Sequence, residues 1–295
     1  MGRKPKPGGN VKIARIDTGG PFDLGQVLDS GQVFHWETGS LDGQPVWIGC
    51  LGDEPVWLAQ PDPVTVVCPA GEAARVAHYL GIDEPIARLH ATFPADDAVL
   101  AEAVAWCPGL RLIRQPVWEC LATFITSSLK QVAHIRQISL TLRRRFGVPH
   151  QIAGQTVFAY PTPAALAAAG EAELRACGLG YRAVGLWRTA SALAAGDADL
   201  AELDALDDAE AREWLMRFHG VGEKIANCVL LFGCGRHGAF PIDVWMDRIL
   251  RERYFGPRKR KTLKPRELQA WAEAHFGPHA GYAQQYLFHF ARKTF

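Results

Sequence analysis

Apolar positions along this chain fall into two regimes. Between residues 31 and 69 they come as short runs, "GQVFHWET", "QPVWIGCL", "EPVWLAQ" and "PVTVVCP", separated by "GSLDG", "GDE" and "PDP". Runs of that length, rich in Val and Trp and bounded by turn residues, predict the strands of an antiparallel meander. From about residue 71 the period lengthens. "GEAARVAHYLG", "ECLATFITSSLKQVAHIRQISLTLRRRFG", "TPAALAAAG", "RAVGLWRTASALAAG" and "DAEAREWLMRF" place apolar residues at helical spacing, and several close on glycine. In "YPTPAALAAAG", Thr162 reads as an N-cap with Pro163 at the first helical position. No internal repeat is visible. The expected class is α+β: a disordered basic tail over residues 1–11, a small antiparallel β domain with a helix over 12–95, and a mainly α-helical domain over 96–295.

Composition narrows this picture. The chain has 295 residues, 48% of them hydrophobic, enough for one large or two modest domains with a real core. No apolar run reaches membrane-span length, and the start "MGRKPKPGGNVK" lacks the apolar stretch of a signal peptide, so an intracellular protein is expected. Seven scattered cysteines without a C-x-x-C pair argue for a reduced protein and against a cysteine zinc site or an iron–sulfur cluster. Neither metal nor cofactor is expected. Net charge is only +1, but it is segregated. Arg111, Arg114, Lys130, Arg136, Arg143, Arg144 and Arg145 face Glu119 alone between 111 and 150, and a second basic run occupies 248–266. The stretch from 171 to 213 is acidic. Such segregation fits a polyanion-binding face, or equally a set of solvated helix faces.

The chemistry concentrates in "FHGVGEKIANC", residues 218–228. No strand precedes it, so the "GVG" is not a dinucleotide fingerprint. The preceding "AREWLMRF" is helical, with Trp214, Leu215 and Phe218 on one side, which makes the pattern helix, tight glycine turn, helix over 208–233. A helix N-terminus offers unpaired N–H groups and a partial positive charge, and Gly220 and Gly222 let another backbone come close. Such a turn can hold a DNA phosphate without reading sequence. Lys224 then sits beside a positive helix end, in apolar company from Ile225, Leu231 and Phe232. A lysine in that setting is a candidate nucleophilic amine. Cys228, four residues on, shares its helix face. Asp243, in "AFPIDVWMDRIL", is placed to cap the following helix and to stabilise a developing cation.

Taken together, "HGVGEKIANC…FPIDVWMDRI" resembles the hairpin, lysine and aspartate of the helix-hairpin-helix DNA glycosylases, and within them the 8-oxoguanine DNA glycosylases. The resemblance extends over most of the chain, through "SGQVFHW", "LRLIRQPVWECLATFITSS", "GLGYRA" and "GPHAGYAQQYLF" in the family's order. It implies a base-excision repair enzyme that flips 8-oxoguanine out of duplex DNA and works as a monomer without a cofactor. Lys224 is implied to attack the sugar C1′ and form a Schiff base that leads to β-elimination, while Asp243 stabilises the sugar cation. Gly31 is implied to offer its carbonyl to N7–H of the lesion, Phe288 and Cys228 to sandwich the purine, and Gln284 to bond its Watson–Crick edge. Gly220, Gly222 and Ile225 belong to the phosphate-binding hairpin, and Tyr181 and Arg182 match the family's wedge and opposite-base reader.

Departures from the family pattern gather on the opposite-base side. Leu129, Lys130 and Gln131 occupy the places of an asparagine run, and His134 that of an arginine. Trp245 replaces a histidine expected at a phosphate, and Ala291 an acidic residue. A relaxed opposite-base preference is therefore expected. Two other readings stand beside this one. A same-fold glycosylase for another damaged purine is opposed by Lys224, and a non-catalytic DNA-binding module by the pairing of Lys224 with Asp243.

Overall fold

The computed structural model describes residues 12–127, 131–257 and 262–294. The expected basic tail, Leu129, Lys130 and the core of the second basic run at 258–261 lie outside the described residues. Five strands form one antiparallel sheet: β1 (Ile13–Asp17), β2 (Glu37–Leu41), β3 (Gln44–Leu51), β4 (Glu54–Asp62) and β5 (Thr65–Pro69), in the order β1-β5-β4-β3-β2. The meander β2 to β5 is the expected one, and β1 adds to its far edge. The tight β2–β3 turn works because Asp42 and Gly43 both take positive φ, 51° and 77°.

The sheet is covered on both faces, which is why its strands read as nearly continuous apolar runs. Val56, Leu58, Val66 and Cys68 join the main core, whereas Val46, Ile48, Cys50, Trp57 and Val67 form a second cluster with Val157 and Ala159. The cover comes from a hairpin that periodicity did not reveal, β6 (Pro149–Ile152) with β7 (Gln155–Phe158). Residues 31–36, expected to be strand, are not. Val33, Phe34, His35 and Trp36 are all buried, so this segment threads between the sheet and the helices with no ladder partner.

The α-helices among the described residues are α1 (Leu24–Leu28), α2 (Ala73–Tyr79), α3 (Ile86–His90), α4 (Ala98–Trp106), α5 (Val117–Ser127), α6 (Val132–Phe146), α7 (Pro163–Leu174), α8 (Arg182–Ala195), α9 (Asp208–Met216), α10 (Glu223–Phe232), α11 (Val244–Tyr254), α12 (Pro265–Phe276) and α13 (Ala280–Thr294). The apolar stretch 119–147 is thus two helices, α5 and α6. Thr162 caps α7 as expected, its hydroxyl accepting from Ala165 N–H at 3.2 Å. One buried cluster runs from Phe22 to Phe290 through sheet and helices. Among the described residues, no helix is long and apolar enough to cross a membrane.

Among the described residues, the arginines of the basic run at 111–150 are buried or paired with acids and carbonyls. Arg111 is fully buried, and Arg143 is buried against Glu119. Arg114 bonds Asp83, Arg144 bonds Glu37, Arg145 bonds Glu173, and Arg136 donates to the Trp36 carbonyl. The acids that neutralise this run come mostly from distant parts of the chain, so a count along the sequence could not see them.

Candidate active site

The two helices of the hairpin are α9 and α10, joined by residues 217–222. Trp214 packs edge-on against Phe218, ring centroids 5.2 Å apart, and holds the turn to α9. Gly220 takes φ +84°, and a Cβ at either Gly220 or Gly222 would meet nothing within 4 Å. The glycines therefore leave the turn open to a close approach. Hydrogen bonding inside α10 starts from Ala226 N–H to Gly222 C=O at 3.0 Å. That leaves the N–H groups of Glu223, Lys224 and Ile225 without intrahelical acceptors. Ile225 buries its side chain, so only its backbone is available to a ligand.

Lys224 projects from the first turn of α10 toward α5. Its Nζ lies 4.9 Å from the centroid of the Phe124 ring. Phe124 in turn stacks on Phe232 at 5.6 Å. Nζ donates to Ser127 Oγ at 3.3 Å, and Ser127 spends its own proton on the Phe124 carbonyl at 2.8 Å. The apolar surface under the lysine is thus supplied by α5, which sequence spacing within α10 could not disclose. Cys228, one turn on, is buried, and burial pushes its thiol up to about 11. It is a neutral wall, not a second nucleophile.

Asp243 caps α11, with Oδ1 accepting from Met246 N–H at 2.9 Å. Burial raises its carboxyl above the ordinary aspartate value, opposed by that hydrogen bond and by the charge of Lys224. Val244 and Trp245 stay exposed beside it.

A cleft of about 1020 Å³ joins these parts. Gly31, Ser127, Lys224, Cys228, Asp243, Trp245, Gln284 and Phe288 all line it. Gln284 and Phe288 come from α13, one turn apart. Gln284 is buried, yet its Oε1 has no hydrogen-bond partner among the described residues. A buried acceptor left open in a cleft is expected to meet a donor from a ligand. Gly31 takes φ +86°, and a Cβ there would press on the Phe288 ring. Its segment is pinned to α13 and the core: Gln285 Nε2 donates to Ser30 C=O at 3.0 Å, and Gln32 bonds Ser30 Oγ, Arg111 C=O and Ile113 N–H at 2.8 to 2.9 Å. Farther along, Lys293 bonds Asp29 at 2.7 Å.

Residues 15–121 match the family model "8-oxoguanine DNA glycosylase, N-terminal domain". The chain is 29% identical over 93% of its length to a probable N-glycosylase/DNA lyase of Methanothermobacter thermautotrophicus, covering 95% of that protein. It superposes with a TM-score of 0.84 at 26% identity on the Clostridium acetobutylicum 8-oxoguanine glycosylase/lyase solved with duplex DNA carrying cytosine opposite 8-oxoguanine, over 94% of this chain and 93% of that one. The chain belongs to the 8-oxoguanine DNA glycosylase family. Its fold is also that of the Archaeoglobus fulgidus 3-methyladenine DNA glycosylase, with a TM-score of 0.75 at 22% identity over 95% and 98% of the two chains.

As a member of this glycosylase family, the chain has a second group of expected residues outside the cleft. Tyr181 and Arg182 open α8 after a turn in which Gly178 and Gly180 both take positive φ. Tyr181 is 60% exposed and covers the buried Arg182, whose guanidinium lies 4.3 Å from its ring centroid. His134 is exposed on the first turn of α6, and Gln131, which precedes that helix, lines the cleft while His134 does not. Ser127 and Phe124 were not anticipated. Their signal, the "TFITSS" run, was visible in the sequence but not its contact with a lysine about 100 residues away.

Proposed function

We propose that this glycosylase-family chain removes 8-oxoguanine from duplex DNA and then cleaves the strand by β-elimination, as a monomeric N-glycosylase and AP lyase acting on DNA inside the cell. The observation that supports this most is a lysine amine and a capping aspartate opening onto one cleft with a buried glutamine whose Oε1 has no partner among the described residues. A flipped purine enters between Phe288 and Cys228. Its N1–H and exocyclic amine supply the donors that Gln284 Oε1 lacks. The Gly31 carbonyl accepts the N7–H that oxidised guanine has and guanine does not.

The Phe124 face and the Ser127 hydroxyl restrict Lys224 Nζ to a narrow range of directions, which favours attack by proximity. Nζ bonds to C1′ as the C1′–N9 bond breaks, and the electron pair leaves with the base. Asp243 offsets the positive charge that builds on the sugar between these events. Loss of a proton from Nζ and opening of the sugar ring give the C1′ Schiff base. Abstraction of a C2′ proton then expels the 3′ phosphate.

Binding to the duplex rests on the open turn at Gly220 and Gly222 and on first-turn N–H groups including that of Ile225, with exposed Trp245 on the rim. Tyr181 serves as the wedge. Arg182 and His134 are the described residues assigned to the base opposite; in the sequence, Leu129 and Lys130 take the places of the family's asparagine run, so fewer donors are offered than the family's asparagine and arginine provide. The test is single-turnover excision on duplexes carrying 8-oxoguanine, 3-methyladenine or no lesion. Release of 8-oxoguanine with strand cleavage is expected. Release of the alkylated base alone, without cleavage, overturns the reading.

A further inference from the structure

Away from the cleft, Glu84, His237 and His279 each offer a ligand atom, and these atoms lie within 4.8 Å of one another. None of the three lines the cleft. The residues come from three separate segments: the loop between α2 and α3, the loop between α10 and α11, and the short turn before α13. We propose that they form a binding site for one divalent transition metal of the zinc type, tying the three segments together. The lack of C-x-x-C pairs, on which no metal was expected, does not bear on this site. This donor set is two imidazoles and a carboxylate, drawn together only by the fold.

The surroundings fit that chemistry. Thr92 Oγ1 donates to the Leu89 carbonyl at 2.7 Å, so toward His279 Nδ1, 2.9 Å away, it can only accept. That contact fixes the proton on Nδ1 and leaves Nε2 with the lone pair a metal needs. The ring nitrogens of His237 have no hydrogen-bond partner among the described residues, although its ring lies 5.2 Å from that of Tyr282. The adverse charge is Arg114. It bonds Asp83 at 2.6 and 2.8 Å and reaches Glu84 Oε2 only at 3.5 Å, so the Glu84 carboxylate keeps an oxygen for a ligand. Zinc bonds of about 2.0–2.2 Å put donor atoms roughly 3.3 Å apart, so the half-buried side chains close on the ion by rotation. Three protein ligands leave a fourth position for water.

Such an ion would brace the frame of the cleft. The His237 carbonyl already accepts Gly281 N–H at 2.7 Å, joining the loop that leads to Asp243 to the helix that carries Gln284 and Phe288. Glu84 adds the sheet side of the molecule to that joint.

The test uses the full chain, stripped with a chelator and titrated with zinc chloride against a chromophoric competitor, with melting curves in parallel and no DNA present. The wild type is expected to take up one tight equivalent and to melt several degrees higher with zinc. Glu84→Gln and the double change His237→Ala with His279→Ala should lose the tight equivalent and the zinc-dependent rise. Glu84→Gln is conservative and exposed enough to fold, and should melt like wild type without zinc. Thr92→Val keeps all three ligands but frees the His279 tautomer, and should weaken zinc about 10–100-fold. Absence of a tight equivalent in the wild type, or its persistence in the double variant, overturns the proposal.

Discussion

Replacing Gly31 by alanine isolates the contact with Phe288 that shapes the base pocket in the proposed reading. Gly31 takes φ +86°, where an L side chain costs about 1–2 kcal/mol. Gly43, in the β2–β3 turn, takes φ +77°, so alanine there carries the same backbone penalty. The two sites differ in what the new methyl meets. At position 43 there is nothing within 4 Å, whereas at position 31 the methyl falls 3.0 Å from Phe288 Cε1, and the ring must give by a few tenths of an ångström. Base–aromatic stacking is worth about 1–3 kcal/mol. Disturbing a good part of it slows excision roughly tenfold, at about 1.4 kcal/mol per decade. Both variants should therefore melt a few degrees below wild type, and only Gly31→Ala should lose excision. The assays are thermal melting and single-turnover release of 8-oxoguanine well below the melting point. Equal excision by Gly31→Ala and Gly43→Ala would refute the argument, because the Gly31–Phe288 contact would then not position the base.

Asp243→Asn separates charge from capping, since asparagine caps helices as well as aspartate does. Burial raises the Asp243 carboxyl, so its protonated form favours the fold. That contribution is complete below the ordinary value of 3.8 and is lost as pH rises through the raised one. Asparagine never ionises, so at pH 7 the variant should melt at or above wild type, with the difference vanishing toward acid pH, while excision falls. A lower melting point at pH 7 contradicts the burial account. On the opposite-base side, each lost bidentate reader gives up about 1–3 kcal/mol of discrimination. Excision on four duplexes should show a modest cytosine preference that sharpens in Leu129→Asn with His134→Arg. A wild-type preference on the order of a thousandfold or more refutes the relaxed reading, being more than one such contact supplies.

What the sequence disclosed follows from what local pattern encodes. The meander strands, the capped α7 and the α9–α10 hairpin were legible because runs, caps and glycines act within a few residues. The Val33–Trp36 segment misled because burial on all sides gives a strand-like apolar run without any ladder. The β6–β7 hairpin turns at Ala153–Gly154, which lacks the Asn-Gly signal, although both residues take positive φ. β1 exposes alternate residues at the sheet edge and so shows little apolar signal. Long-range partners were invisible. The ion pairs of the 111–150 run and the cradle of Lys224 on α5 join residues tens to about a hundred positions apart. By contrast, Gly31, Lys224, Cys228, Asp243, Gln284 and Phe288 converge on one cleft, as the family resemblance implied.

The central claim is that the Lys224 amine forms the covalent bond to the sugar, and borohydride trapping tests it most directly. Wild-type protein is incubated with an 8-oxoguanine duplex and borohydride, and the cross-linked peptide is mapped by mass spectrometry. The account predicts a reduced Schiff base on Lys224. It also predicts neither cross-link nor base release from Lys224→Gln, which should still bind duplex DNA through the hairpin backbone. A cross-link mapped to another residue, or wild-type excision by Lys224→Gln, would contradict it.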